Sequence, residues 1–289
     1  MNVAVSATEL VPNTARIMRD SLILGMPHLS LGGLSETWLL KELGHRHWQL
    51  LARMCGRAVP DFRDAEGEPV YAAFCAVSVS EAAFGALREH DELVVSSELA
   101  RISRTQFASR HELSCGGRAV GTVELSSVFV RRGQAGRNRS IARVALDFFP
   151  PVEPSSGFGA AAAMAARMRG GEWDQHFGFR RDGGQPGGSL TINPCPSQDF
   201  NGADFLYFTS FQAFVDRTEW ELLAPRQPLS TTARDIVYYG NVEIGDRVVV
   251  EMMFHRLDPH GLSHWCRLRR EIDGALLADV FTSRHRAEG

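Results

Sequence analysis

The chain is organised around the stretch from Pro196 to Trp220, PSQDFNGADFLYFTSFQAFVDRTEW. Turn formers come first. Then Phe205, Leu206, Phe208, Phe211, Phe214 and Val215 leave little polar surface on any side. Such a segment predicts a helix enclosed by a core instead of one lying on a surface. Asp199 and Asn201 are good N-cap types, and Gly202 lets another backbone approach closely, so the helix is expected to start near Gly202. The following segments, DIVYYGNVEIGDRVVVEMMFHR and SHWCRLRREIDGALLADVFTSR, read as strands broken by Gly- and Asp-containing turns.

The same order occurs earlier in the chain. In GMPHLSLGGLSETWLLKELGHRHWQLLARM, Gly32 and Gly33 precede Leu34, Trp38, Leu39, Leu40, Leu43, Trp48 and Leu51 at roughly helical spacing. Setting Pro27 on Pro196 places Gly33 on Gly202 and Trp38 on Tyr207. HDELVVSSELAR (90–101) matches GDRVVVEMMFHR (245–256), with Asp91 over Asp246 and Arg101 over Arg256. The next pair, FASRHELSCGGRAVGTVELSSVFVRR and SHWCRLRREIDGALLADVFTSR, each reads as strand, turn with Gly117 or Gly274, strand. One copy spans roughly 20–132 and the other roughly 190–285.

A long apolar helix wrapped by an antiparallel sheet is the hot-dog arrangement. Two copies in one chain predict an α+β double hot-dog, the fused form of the usual hot-dog dimer. The expected division is an N-terminal unit at 1–150, a linker at 151–189 and a C-terminal unit at 190–289. The linker is rich in Pro, Gly and Ala, with a short helix over Ala160–Met168 and a loop over 180–189. Residues 1–24 are expected to lead in as a short strand or helix.

Composition narrows the class. A hydrophobic fraction of 44% with 22% charged residues suits a folded core, and 289 residues allow one large or two ordinary domains. A net charge of −3 gives no reason to expect nucleic acid or an anionic membrane as partner. No apolar run is long enough to span a bilayer, and the N-terminus lacks a signal-peptide layout. Cys55, Cys75, Cys115, Cys195 and Cys266 are scattered and form no CxxC pair, as expected of buried thiols in a reducing, cytoplasmic setting.

The chain carries no GxSxG elbow, P-loop or GxGxxG. His45 and His47 point in different directions on a helix, and His260 and His264 fall where a turn is expected, so no metal or other cofactor is expected. What remains is apolar slots and helix starts. The candidate oxyanion donors are Gly32, Gly33 and Leu34 in the first half and Asn201, Gly202 and Ala203 in the second, although each glycine also suits a plain turn.

Tyr71 stands in EPVYAAFCAVSV, a strand without charge, where a phenol needs a hydrogen-bond partner or a task. Tyr238 and Tyr239 belong to the equivalent strand, and Asn241 either reaches the cleft or closes a turn before Gly245. Arg131, Arg132, Arg137 and Arg139 form either a solvated loop or a contact for coenzyme A phosphates or an acidic carrier protein. A thioesterase would draw on Asp199, Asp204, Glu219 or Glu36 to activate water. A dehydratase would set His28 opposite Asp199 or Asp204. A non-catalytic scaffold that binds acyl carriers is a third reading.

Three of these motifs carry a resemblance. The strand tyrosine in GEPVYAAF, the DFNGxxxLYF helix and the YYGNxxxGD strand resemble the bifunctional acyltransferase/decarboxylase of leinamycin biosynthesis. The resemblance runs from about Gly25 to about Arg284 and is best in the second half. It implies a double hot-dog that decarboxylates methylmalonyl-CoA and delivers propionyl to the phosphopantetheine thiol of an acyl carrier protein, with no metal. It also implies that Tyr71 is the catalytic residue and passes through an O-acyl-tyrosine. A phenol in an apolar strand resists ionisation, so donation of a hydrogen bond by neutral Tyr71 is the less costly role. A homodimer is expected, with acyl-CoA and the carrier protein as partners.

Overall fold

The computed structural model describes residues 16–134, 136–151, 157–182, 187–225, 229–259 and 261–286. Among them there are ten main strands: β1 (Ile17–Ile23), β2 (Tyr71–Ser80), β3 (Glu92–Arg101), β4 (Gln106–Cys115), β5 (Arg118–Arg132), β6 (Ser189–Ile192), β7 (Leu229–Tyr238), β8 (Val248–Leu257), β9 (Gly261–Arg270) and β10 (Leu276–Arg286). Burial alternates along β3 and β8, whereas β5 and β10 are buried at successive positions. They make one antiparallel sheet in the order β1-β3-β4-β5-β2-β7-β10-β9-β8-β6, and a short strand at Ile141–Arg143 adds to β5. The helices are α1 (Glu36–Met54), α2 (Ala160–Gly170) and α3 (Phe208–Leu223).

The sheet divides the helices between its faces. Val77, Val79, Ile236 and Tyr238 join the core of α1 and α3, whereas Ala76 and Val237 pack with α2. Along α1, Leu39, Leu40, Leu43, Leu50 and Leu51 are fully buried. Burying each contributes about 1.5–3 kcal/mol relative to exposure. The element order β1-α1-β2-β3-β4-β5 recurs as β6-α3-β7-β8-β9-β10, which is the double hot-dog. Asp91 and Asp246 close equivalent turns, each accepting the backbone N–H three residues earlier, from Arg88 and Glu243 (2.7 and 2.9 Å). The linker helix forms over Ala160–Gly170, and the lead-in includes β1. Residues 1–15, 152–156 and 183–186, which include parts of the lead-in, linker and loop, lie outside the described residues, as does His260.

The helix starts differ from expectation. α1 begins after Ser35, whose hydroxyl accepts Trp38 N–H at 3.3 Å, so Gly32, Gly33 and Leu34 precede the helix. Gly33 turns a small hairpin there. Its φ is +102°, and an added Cβ would stand 2.2 Å from the Phe84 carbonyl oxygen, so only glycine fits. α3 begins only at Phe208. The Asn201 side chain accepts Ala203 and Phe205 N–H (3.0 and 3.1 Å), and Phe200 bridges Leu206, folding DFNGADFL into a closed loop. Side-chain bonding of this kind competes with helix formation. Asp199 ends a separate helical turn (Pro196–Asp199) and accepts Cys195 N–H at 2.8 Å. Around Gly202 an added Cβ would meet nothing within 4 Å. Tyr207 therefore stands where Ser35 does, three residues from the sequence match with Trp38. Nor is α3 enclosed all round, for Trp220 is 62% exposed.

The first half holds a buried neutral network. His47 lies between Ser109 and Ser127 hydroxyls, both at 2.7 Å, and His111 lies between Ser109 and Ser97, both at 2.8 Å. Burial pushes His47 down to about 3 and lowers His111 as well. The unfolded chain, with ordinary histidines, therefore binds more protons than the folded one below pH ~6.5. Stability is expected to be full above that pH and to fall by about 1.4 kcal/mol per unit for His47 alone as pH drops toward about 3. Urea midpoints compared between pH 7.5 and pH 5 check this, and a flat profile contradicts it.

Candidate active site

The two halves meet through a short ladder, Ala76–Val79 of β2 against Arg234–Val237 of β7. A bulge between Phe74 and Ala76 then carries β2 off along β5, while the β7 end stays with β10. The strands part like the prongs of a fork, and a cavity of about 460 Å³ opens between them. Tyr71 to Phe74 line one prong, and Tyr238, Gly240 and Asn241 line the other. Because the strands are antiparallel, the start of β2 meets the end of β7; Tyr238 is a neighbour of Tyr71 in the cavity, not its positional equivalent. Gly44 of α1, the loop at 201–206 and the first turn of α3 complete the wall. Gly44 is needed by the helix packing, since a Cβ there would sit 2.8 Å from the Phe208 ring.

Tyr71 alternates onto the face away from α1, packing with Ala73 and Val130. It is covered there by Phe205, whose ring lies edge-on at 5.4 Å. Through the fork it still lines the cavity with Phe208. The Tyr71 hydroxyl has no hydrogen-bond partner among the described residues, nor has the Asn241 side-chain amide. The other two strand tyrosines are engaged: Tyr238 donates to the Phe208 carbonyl oxygen (3.0 Å) and Tyr239 to Asp279 (3.1 Å). No side chain caps α3; Ser210 N–H bonds the Tyr207 carbonyl at 2.9 Å, and the Phe208 and Thr209 amides ahead of it have no acceptor among the described residues. Tyr207, His45 and Trp48 also line it, and burial pushes the Tyr207 phenol up. Among the described residues, none of those lining the cavity is Asp, Glu, Ser or Cys.

The pseudo-equivalent place, at the start of α1, is built differently. It holds a cavity of only about 110 Å³, lined by Gly32, Leu34, Glu36, Thr37, Gln212 and Asp216 among others. Fully buried Arg234 contacts Glu36 and Asp216, each at 2.8 Å; the Glu36 contact is ionic without hydrogen-bond alignment. Arg284 pairs with Asp216 and with Glu219 (3.0 Å), and His264 meets Glu219 at 2.8 Å. Thr231 donates to Glu36 at 2.8 Å. Burial raises the Glu36 carboxyl against the opposing pull of Arg234. Burial also works to raise Asp216, but Arg234 and Arg284 outweigh it and hold Asp216 at about 2.

The structure thus brings together Tyr71, Asn201, Gly202 and Asn241, and leaves Gly32, Gly33 and Leu34 at the other helix start. His28 accepts Gly25 N–H at 2.9 Å and packs on Trp38, outside the main cavity. Asp199 is buried and is not among the residues that line the cavity. Arg131 is paired with Asp64 (2.9 Å) and Glu66 (3.1 Å). Arg132 bonds Asn138 at 3.0 Å and the Ala203 carbonyl, with its guanidinium 4.1 Å from the Phe205 ring centre. Both arginines are tied within the chain, and Arg132 fastens the 201–206 loop over Tyr71. The sequence reading missed Gly44, His45 and Tyr207, whose place depends on how α1 and α3 cross. The five cysteines are free; Cys75 and Cys266 are buried but Cys195 is exposed, contrary to the expectation that all are buried. No helix among the described residues is long and apolar enough to cross a membrane.

Solved structures share this architecture. The chain is similar to an acyl-ACP thioesterase from Bacteroides thetaiotaomicron, with TM-score 0.61 and 11% identity over 94% of this chain and 99% of that one. It is also similar to the 12:0-ACP thioesterase from Umbellularia californica, with TM-score 0.59 and 10% identity over 93% and 94% of the two chains. At such identities the likeness speaks for the double hot-dog fold alone. No protein-family model and no curated protein matches the chain.

Proposed function

We propose that this chain is an enzyme acting on acyl thioesters of coenzyme A and of an acyl carrier protein. In this reading it decarboxylates a malonyl-type thioester, such as methylmalonyl-CoA, and passes the resulting acyl group, propionyl, to the carrier thiol. The observation that carries the proposal is one cavity holding the unpartnered Tyr71 hydroxyl and Asn241 amide, beside the uncapped first turn of α3, with no carboxylate in its lining.

Decarboxylation breaks the bond between the carboxyl carbon and the α-carbon. Its electron pair moves into the thioester carbonyl, giving an enolate oxygen that the α3 amides and Asn241 are suited to hold. Carbon dioxide leaves, and the α-carbon then takes a proton. No general base is required, and a lining free of carboxylates does not repel the substrate's own. In the transfer step the carrier thiol's sulfur bonds the carbonyl carbon, the bond to the coenzyme A sulfur breaks, and the thiol proton passes through water to the departing sulfur. Tyr71 either donates to the oxyanion or accepts the acyl group first, its phenol proton then going to the coenzyme A sulfur and returning to the oxygen from the carrier thiol.

Hydrolysis is the second reading, favoured by the shared fold with the two ACP thioesterases. Three of its four candidate carboxylates are engaged elsewhere, Asp199 with Cys195 N–H and Glu36 and Glu219 in the buried ion cluster, while Asp204 is exposed on the 201–206 loop and is not among the residues that line the cavity. Incubation with methylmalonyl-CoA, with and without a carrier protein, separates the readings. Carbon dioxide release with propionyl-loaded carrier is expected. Free acid without carbon dioxide would establish a thioesterase, and no turnover of either kind would leave a binding scaffold.

A further inference from the structure

We infer that Arg169 is a positioning residue that fixes the opening of the fork, and through it the shape of the acyl cavity. Part of its test rests on the acyl-thioester reading above. The ladder between β2 and β7 ends at the Ala76–Val237 pair. One step further, at the crotch of the fork, the carbonyls of Cys75 and Tyr238 have lost each other's strand as partner. Both instead accept from one nitrogen of Arg169, Nη2, at 3.0 Å from Cys75 and in a close contact with Tyr238. Arg169 arrives from the last turn of α2, on the face away from α1 and α3. Its guanidinium lies 5.9 Å from the ring centre of Tyr239, the next residue along the prong.

The arrangement is specific to a bridging cation. Two carbonyl oxygens facing one space repel, and a charged donor between them makes two charge-assisted hydrogen bonds. The bridge sets the separation of two backbones that line the cavity just beyond it, through Phe74 on one prong and through Tyr238 and Gly240 on the other. The linker helix itself is anchored at its other end, where Glu124 accepts Ala161 N–H at 2.8 Å. Arg169 is therefore presented from a fixed helix. Arg169 is exposed and is not part of the buried core, so its replacement leaves no hole there.

The test compares wild type with Arg169→Met and Arg169→Lys. Hydrogen exchange is read at 71–76 and 238–241, and dissociation constants are measured for propionyl and octanoyl thioether analogues of coenzyme A. In Arg169→Met, exchange at both prongs is expected to rise about tenfold, as for loss of charge-assisted hydrogen bonds. The rest of α1 and the outer strands stay unchanged. The octanoyl analogue, which fills more of the cavity, is expected to lose more affinity than the propionyl one. Lysine, still a cation but without the planar fork, recovers part of both effects. Unchanged exchange at the prongs, or a uniform rise across the whole sheet, would overturn the inference. If the wild type binds neither analogue, the acyl-thioester reading fails and exchange alone decides the role of Arg169.

Discussion

Tyr71→Phe is expected to lower propionyl transfer to the carrier protein by about 10²–10³-fold, the usual cost of removing one donor or acceptor at a developing charge. The ring that packs edge-on against Phe205 is kept, and the lost hydroxyl has no partner among the described residues to leave unsatisfied. The melting temperature should therefore stay within about 2 °C of wild type. Carbon dioxide release is expected to fall less, because the α3 amides and Asn241 remain to hold the enolate. Intact-protein mass spectrometry of the carrier, read with carbon dioxide release, checks both numbers. Full transfer by the variant would remove Tyr71 from the chemistry, and equal losses in both steps would make it a donor to the enolate instead of an acyl acceptor.

Arg234→Met carries the largest expected cost in stability. Arg234 is fully buried, and its loss leaves Glu36 and Asp216 without their shared cation. Breaking a buried pair by removing one partner costs about 3–5 kcal/mol, or roughly 10 °C in melting temperature for a chain of this size. The deficit should depend on pH. Burial already raises the folded-state Glu36, and without Arg234 it rises further. A group raised in the folded state is penalised while charged, and the penalty fades as pH falls and it takes up a proton. The gap to wild type is thus expected to narrow from pH 8 to pH 5.5 in paired urea titrations. Adding Glu36→Gln should recover part of the loss. A constant gap with no recovery would mean that Arg234 acts mainly by filling space.

The ion cluster also accounts for the unlike helix starts. At α1, Ser35 caps the helix and charged pairs occupy the space; at α3, no side chain caps it and the space is open. Of the two helix starts, that of α3 therefore borders the larger cavity. Its sequence trace was slight, SLGG against DFNG, because Glu36, Asp216, Arg234 and Arg284 are far apart along the chain and unremarkable one by one.

The sequence by itself determined the fold. Period-two apolar runs, glycine turns and two helix patterns in the same order specify two helix-in-sheet units, since burial patterns are local and a wrong register would expose a whole face. It also singled out Tyr71, Asn201 and Asn241. Only the tertiary structure decided that α3 starts at Phe208, because the Asn201 side chain and the Phe200–Leu206 bridge win the preceding residues away from the helix. It alone decided that Tyr71 reaches the cavity through a parting of β2 and β7, and that Arg131 and Arg132 are tied inside the chain. The α3 start turns on local side-chain bonds that compete with the helix, while the parting of β2 and β7 and the Arg131–Asp64 pair join residues tens to more than a hundred positions apart, and spacing along a chain carries no record of such contacts.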